Sequence, residues 1–194
     1  LPCENGKITA AQVKEYFANH YASETAEHEV QPGMVYISFP TECGTVYSKD
    51  ELKALHSVCK EYDVPLYIDG ARLGYGLADP RCDMTLSSFA ENCDIFYIGG
   101  TKCGALFGEA VVFMNKKYAK DFRYCIKRHG GMFAKGRLLG IQFEELFTDN
   151  LYFKITKTAV EHALRIRKAF EAKGIGFFGD SMTNQQFPIL TDEQ

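Results

Sequence analysis

Two short apolar runs, each closing on glycine and a reactive side chain, constrain this chain more than any other feature. The first is Pro65-Leu66-Tyr67-Ile68-Asp69-Gly70. The second is Asp94-Ile95-Phe96-Tyr97-Ile98-Gly99-Gly100-Thr101-Lys102. Continuous apolar runs of this length, bounded by turn residues, read as buried parallel strands. A short helix expected over Thr85 to Glu91 makes the link between them a crossover, which leaves both carboxyl ends on one edge of the sheet. Open α/β sheets bind ligands beyond that edge. An acid and a lysine are therefore expected to face one crevice.

The remainder of the chain agrees with an α/β pattern. Thr9 with Gln12 and Ser48 with Glu51 are capping boxes. They start helices over about Ala10 to Asn19 and from Ser48 to near Asp63, the second carrying Leu52, Leu55, Val58 and Tyr62 at helical spacing. Tyr21 to Gln31 is polar and reads as a loop. Strands are expected at Met34 to Phe39 and Ala110 to Met114. Three helices follow, over about Tyr118–Lys127, Lys135–Phe147 and Lys154–Lys173, with Gly174 placed to end the last. Strand character returns at Phe187 to Leu190. No repeat or low-complexity stretch occurs.

The net charge of −3 argues against nucleic acid and anionic membrane as partners. No apolar run is long enough to span a bilayer, and no signal peptide is visible at Leu1. Seven cysteines form no CxxC pair. An odd number without metal-ligand spacing fits buried thiols in a reducing cytoplasm better than disulfides or zinc. His20, His28, His56 and His162 are expected to face solvent, and His129 to serve a structural turn. No GxxxxGK[ST] or strand-borne GxGxxG is present, which disfavours a nucleotide-binding domain.

An acid and a lysine at adjacent strand ends suit pyridoxal phosphate (PLP). That cofactor needs an amine for its aldehyde and a carboxylate for its pyridine nitrogen. A desolvated lysine also becomes a better nucleophile and base. Taken singly, Asp69 would read as a turn acid, Lys102 as a solvated lysine, Arg72 as an ion-pair partner and Thr101 as a local backbone ligand.

The runs Tyr67 to Leu73 and Asp94 to Lys102 resemble the threonine aldolase and β-eliminating lyase family. Gly44-Thr45-Val46-Tyr47, Gly104 to Gly108, Gly130-Gly131-Met132 and Lys135 to Gly140 extend the resemblance in order along the chain. It implies the aspartate-aminotransferase fold: a PLP-dependent transferase-like large domain, α/β, with a mostly parallel sheet flanked by helices and incomplete at both ends. Residues 1–150 would be the PLP-binding portion. Residues 151–194 would be a connecting helix and the start of a small domain.

By the same resemblance Lys102 carries PLP, Asp69 bonds the pyridine nitrogen and Ala71 packs against the ring. Arg72 sits near the ring's phenolic oxygen or the substrate, and Thr101 helps position the cofactor. A phosphate-binding glycine loop, a stacking histidine and a carboxylate-gripping arginine are expected in sequence beyond Leu1 and Gln194. The implied reaction is retro-aldol cleavage of L-threonine or L-allo-threonine to glycine and acetaldehyde. A β-eliminating lyase on a cysteine conjugate or aromatic amino acid, and an idle scaffold, are the alternatives. The implied partners are a small amino-acid substrate and further copies of the chain, as a homodimer or homotetramer.

Overall fold

A computed structural model describes residues 1–192. Helix α1 (Ala10–Ala22) leads to strand β1 (Val35–Ser38), α2 (Lys49–Glu61) and β2 (Leu66–Asp69). Then come α3 (Leu73–Leu77), α4 (Leu86–Asn92), β3 (Ile95–Gly99) and β4 (Glu109–Phe113). Helices α5 (Phe122–Arg128), α6 (Arg137–Phe147) and α7 (Leu151–Glu171) complete the elements.

The four strands form one sheet in the order β1-β2-β3-β4. The first three are parallel, and β4 runs antiparallel to β3. Period-two alternation sorts their side chains. Val35, Ile37, Leu66, Ile68, Phe96 and Ile98 are buried on one face. Phe39 meets Phe89 of α4 there at 4.8 Å between ring centroids, and Phe89 packs on Phe96 at 5.8 Å. Truncating a fully buried aromatic such as Phe89 removes apolar burial and leaves a cavity, a cost of about 3–5 kcal/mol. Tyr36, Tyr67, Asp69 and Tyr97 alternate onto the other face, where they are half-buried or exposed.

Local chemistry sets the helix starts. Thr9 and Ser48 each accept from the backbone N–H three residues on, and Gln12 and Glu51 answer reciprocally. Losing such a cap costs about 1 kcal/mol. Past α7, Gly174 takes φ +76° and Ile175 N–H bonds back to Phe170 O at 3.1 Å. This left-handed turn ends the helix as the glycine's position indicates.

Several sequence expectations need correction. Helix α3 was not expected: its Leu73, Gly74, Tyr75 and Gly76 are all buried and its two glycines disguise the pattern. Gly74 makes room for Tyr152 of α7, whose ring carbon would lie 2.7 Å from an added Cβ. The helix expected over Tyr118–Lys127 is a 3-10 turn, Lys116–Ala119, and then α5, separated by left-handed Asp121 at φ +58°. Helix α7 starts at Leu151, because left-handed Asp149 and Asn150 turn the chain there. The strand expected at Phe187–Leu190 is a single bridge between Phe177 and Pro188. His20 and His56 are buried, His20 beside Glu29 and His56 beside Asp94. Of the seven free cysteines, Cys59, Cys93 and Cys103 are buried, whereas Cys3 and Cys125 are exposed. No helix among the described residues is long and apolar enough to cross a membrane.

Candidate functional site

The carboxyl ends of β2 and β3 are pressed together. A Cβ on Gly70 would lie 1.9 Å from Tyr97 O, and one on Gly99 would lie 2.2 Å from Ala71 O. Only glycine fits at either position. Gly99 N–H donates to Gly70 O at 2.9 Å across the gap. This close approach brings the segment after Asp69 against the segment before Lys102.

Beyond β2, Ala71 N–H donates back to Asp69 Oδ1 at 2.9 Å, the local bond an aspartate makes to a turn. Arg72 comes next, its guanidinium 3.3 Å from Glu42 Oε2. Beyond β3, Cys103 N–H and Ala105 N–H both donate to Gly100 O at 2.9 Å. Tyr75 O–H donates to Lys102 O. The lysine's main chain is thus fixed while its side chain is exposed. Among the described residues its Nζ makes no hydrogen bond or ion pair.

Asp69 is the best-connected side chain of the site. Its Oδ1 accepts from Tyr97 O–H as well as Ala71 N–H, and its Oδ2 accepts from Tyr36 O–H. Burial pushes the carboxyl up, yet the two phenols, the Ala71 amide and the charge of Lys102 together hold it below the usual carboxylate range. Tyr36 and Tyr97 are themselves pushed up, first by burial and then by their bonds to Asp69, so both remain protonated donors. A carboxylate oxygen accepts through two lone pairs. Oδ1 has both engaged, and Oδ2 keeps one for a further donor.

The structure therefore gathers Asp69, Ala71, Arg72 and Lys102 at one sheet edge. Thr101 is exposed in the lysine turn, and its hydroxyl makes no hydrogen bond among the described residues. Cys103, next to the lysine, is fully buried, and burial is the first cause of its raised thiol. Such a thiol is unreactive packing. A cleft of about 630 Å³ runs along β1. Tyr36 and Glu42 line it, but Asp69 and Lys102 do not, so it flanks the site.

Sequence reading missed Tyr36, Tyr97 and Tyr75. A signal for the first two was present: both fall on the same alternate positions as Asp69. Strand register supplies the rest, setting Tyr36 level with Tyr67 and pairing Ser38 with Asp69.

Comparison with known proteins adds to this geometry. The family described as beta-eliminating lyase matches residues 1–177. A low specificity L-threonine aldolase from a Pseudomonas species is 35% identical over 151 residues, which are 78% of this chain and 42% of that protein. The structure of Leishmania major threonine aldolase superposes with a TM-score of 0.93 at 42% identity, covering 100% of this chain and 55% of that one. A PLP-bound C-S lyase from Staphylococcus hominis shares the fold, with a TM-score of 0.61 at 15% identity over 92% of this chain and 44% of its own. The chain thus spans about half the length of the relatives it matches.

Proposed function

The chain belongs to the beta-eliminating lyase family, and on that premise we propose that it carries the cofactor-holding half of a PLP-dependent lyase that cleaves L-threonine or L-allo-threonine to glycine and acetaldehyde. The observation that carries the reading is an anionic Asp69 and the exposed amine of Lys102, which has no hydrogen-bond or ion-pair partner among the described residues, beyond the carboxyl ends of neighbouring strands. The threonine aldolase similarities support the substrate class.

The residues present fit PLP. Asp69 keeps a free lone pair on Oδ2, and Lys102 Nζ is held by no competing acceptor among the described residues. When bound, the group would supply an aldehyde carbon and an electron sink for the pair left by the broken Cα–Cβ bond. Lys102 would hold it through Nζ. Asp69, kept anionic by its three donors, would hold a proton on the pyridine nitrogen. Ala71 would support the ring, Arg72 would stand at the edge of the site steadied by Glu42, and Thr101 would help position the group.

On this reading residues 1–150 form the cofactor-holding portion and 151–194 lead into a second domain; the last two of these lie outside the described residues. A homodimer or homotetramer is supported by the exposed Tyr124, Phe133, Leu138 and Ile141 around α5 and α6. Free thiols support the cytoplasm as its compartment.

Borohydride reduction in the presence of PLP, followed by peptide mass spectrometry, tests the cofactor. Label on Lys102 alone supports the reading, and scattered or absent label in the full-length protein overturns it. Lys102→Ala is expected to abolish acetaldehyde release from threonine; retained activity removes Lys102 from its role. Pyruvate in place of acetaldehyde would redirect the reading to β-elimination.

A further inference from the structure

We propose that Tyr36 and Tyr97 are positioning residues that clamp the Asp69 carboxylate from the two neighbouring strands, fixing its rotation so that the free lone pair of Oδ2 meets the nitrogen of a pyridine-type ligand. The inference rests on the cofactor reading above and extends it to two phenols on the strands beside Asp69.

Three observations carry it. First, the donors reach different oxygens: Tyr36 bonds Oδ2 and Tyr97 bonds Oδ1. Two donors on opposite oxygens fix the carboxylate plane, which the Ala71 amide alone leaves free to turn about its single bond to Oδ1. Second, both phenols stand on rigid strands rather than loops. Tyr97 is next to Asp69 on β3 in the register that pairs Ile68 with Phe96. Tyr36 comes diagonally from β1, where Ser38 is the residue paired with Asp69. Third, Tyr36 is itself held, its ring stacked on Tyr67 with centroids 5.5 Å apart and planes at 11°. A supporting shell locked by packing is what holds a functional carboxylate to a useful orientation.

The charged groups facing this cluster are few. Lys102 acts on Asp69, Glu42 on Tyr36 and Glu109 on Tyr97. Both glutamates oppose phenolate formation, so each phenol serves as a donor and not as a base.

The test uses the full-length protein with Tyr36→Phe, Tyr97→Phe, the double variant and Tyr67→Phe. The Tyr67 hydroxyl makes no bond to Asp69, so its loss controls for ring packing. Two readouts are followed: titration of the Asp69 carboxyl by carbon-13 NMR without cofactor, and affinity for PLP across pH. In the double variant the carboxyl is expected to bind protons about tenfold more tightly, a shift of about one pH unit. Each single variant is expected to move less, and Tyr67→Phe not at all. The acid limb of PLP binding is expected to move to higher pH in step, because Asp69 loses its charge sooner as pH falls.

A double variant that melts like the parent, with unchanged Asp69 titration and PLP affinity, overturns the inference. If Lys102 of the parent still takes the borohydride label in that case, the cofactor reading survives and only the clamp falls. If the parent takes no label, the cofactor reading fails first and the clamp loses its ligand.

Discussion

Two aspartates stand at opposite ends of the same sheet, and their surroundings differ in kind. Asp69 closes β2 at the carboxyl edge. Asp94 immediately precedes β3 at the amino edge and is 6% exposed. The acceptors of Asp94 are committed to the framework. Oδ2 takes Leu66 N–H at 3.0 Å and faces His56 Nε2 at 3.4 Å, and Oδ1 takes the Asn115 side-chain amide at 3.1 Å. Its backbone oxygen also accepts from Met114 and Asn115. One residue thereby ties β2, α2 and the segment after β4 together. Asp69 has three hydrogen-bond donors to Asp94's two, but two of the three are phenols on the less covered face. The two ends teach that the number of bonds does not separate a structural acid from a chemical one. What the donors belong to does, together with an amine that acts on the acid and has no hydrogen-bond partner among the described residues.

The largest effect that would sharpen this contrast is at Asp94. Asp94→Ala strips acceptors from the buried Leu66 strand amide and the half-buried Asn115 side-chain amide and leaves buried His56 facing an empty position. Orphaned buried donors of this kind cost about 1–3 kcal/mol each. A total loss of about 3 kcal/mol is expected in urea denaturation. A loss under about 1 kcal/mol would mean that the amino edge is not the framework end.

The second expected effect is a pH dependence that separates the two ends. His56 is lowered from 6.5, first by burial and then by Lys60, with Asp94 opposing. Below 6.5 the unfolded chain therefore binds more protons at this site than the folded one, so stability falls as pH drops through that value, by up to about 1.4 kcal/mol per pH unit. Asp69 is lowered from 3.8. The stability it contributes is fully present above 3.8 and is lost only as pH falls through its lower folded value. Denaturation curves from pH 8 to 3 are expected to show the His56 window first, and His56→Gln is expected to erase it. A curve flat between pH 7 and 5 in the parent would remove the buried histidine from the comparison.

The sheet and its reactive edge were legible because they rest on local signals. The runs to Asp69 and to Lys102 are continuous apolar stretches that stop at turn residues as buried parallel strands do, and the capping boxes at Thr9 and Ser48 formed as read. What escaped depends on partners distant in sequence. Helix α3 has two glycines in five residues and is held by Tyr152, whose hydroxyl accepts from Gly74 N–H 78 positions away at 3.1 Å. Intrinsic propensity disfavours such a helix, and tertiary packing overrides it. His56 looked like a surface histidine because nothing near it in sequence foretells Asp94. The bonds of Tyr36 and Tyr97 to Asp69 escaped for the same reason: alternation gives a residue's face, but only register shows which hydroxyl reaches which oxygen.

The smallest stability effect, and the sharpest division between the two ends, is expected from Asp69→Asn. The amide retains one acceptor oxygen for Ala71 N–H and Tyr97 O–H. Its NH₂ can turn toward Tyr36, whose hydroxyl accepts as readily as it donates. No buried group is orphaned, so stability is expected to stay within about 0.5 kcal/mol of the parent. The negative charge is gone, however, and with it the means of keeping a pyridine nitrogen protonated. Affinity for PLP and cleavage of threonine are expected to collapse in a protein that still folds. The paired measurement is a urea melt and a PLP titration on Asp69→Asn and Asp94→Asn together. If Asp69→Asn costs as much stability as Asp94→Asn, both acids are framework residues and the carboxyl edge loses its claim to chemistry.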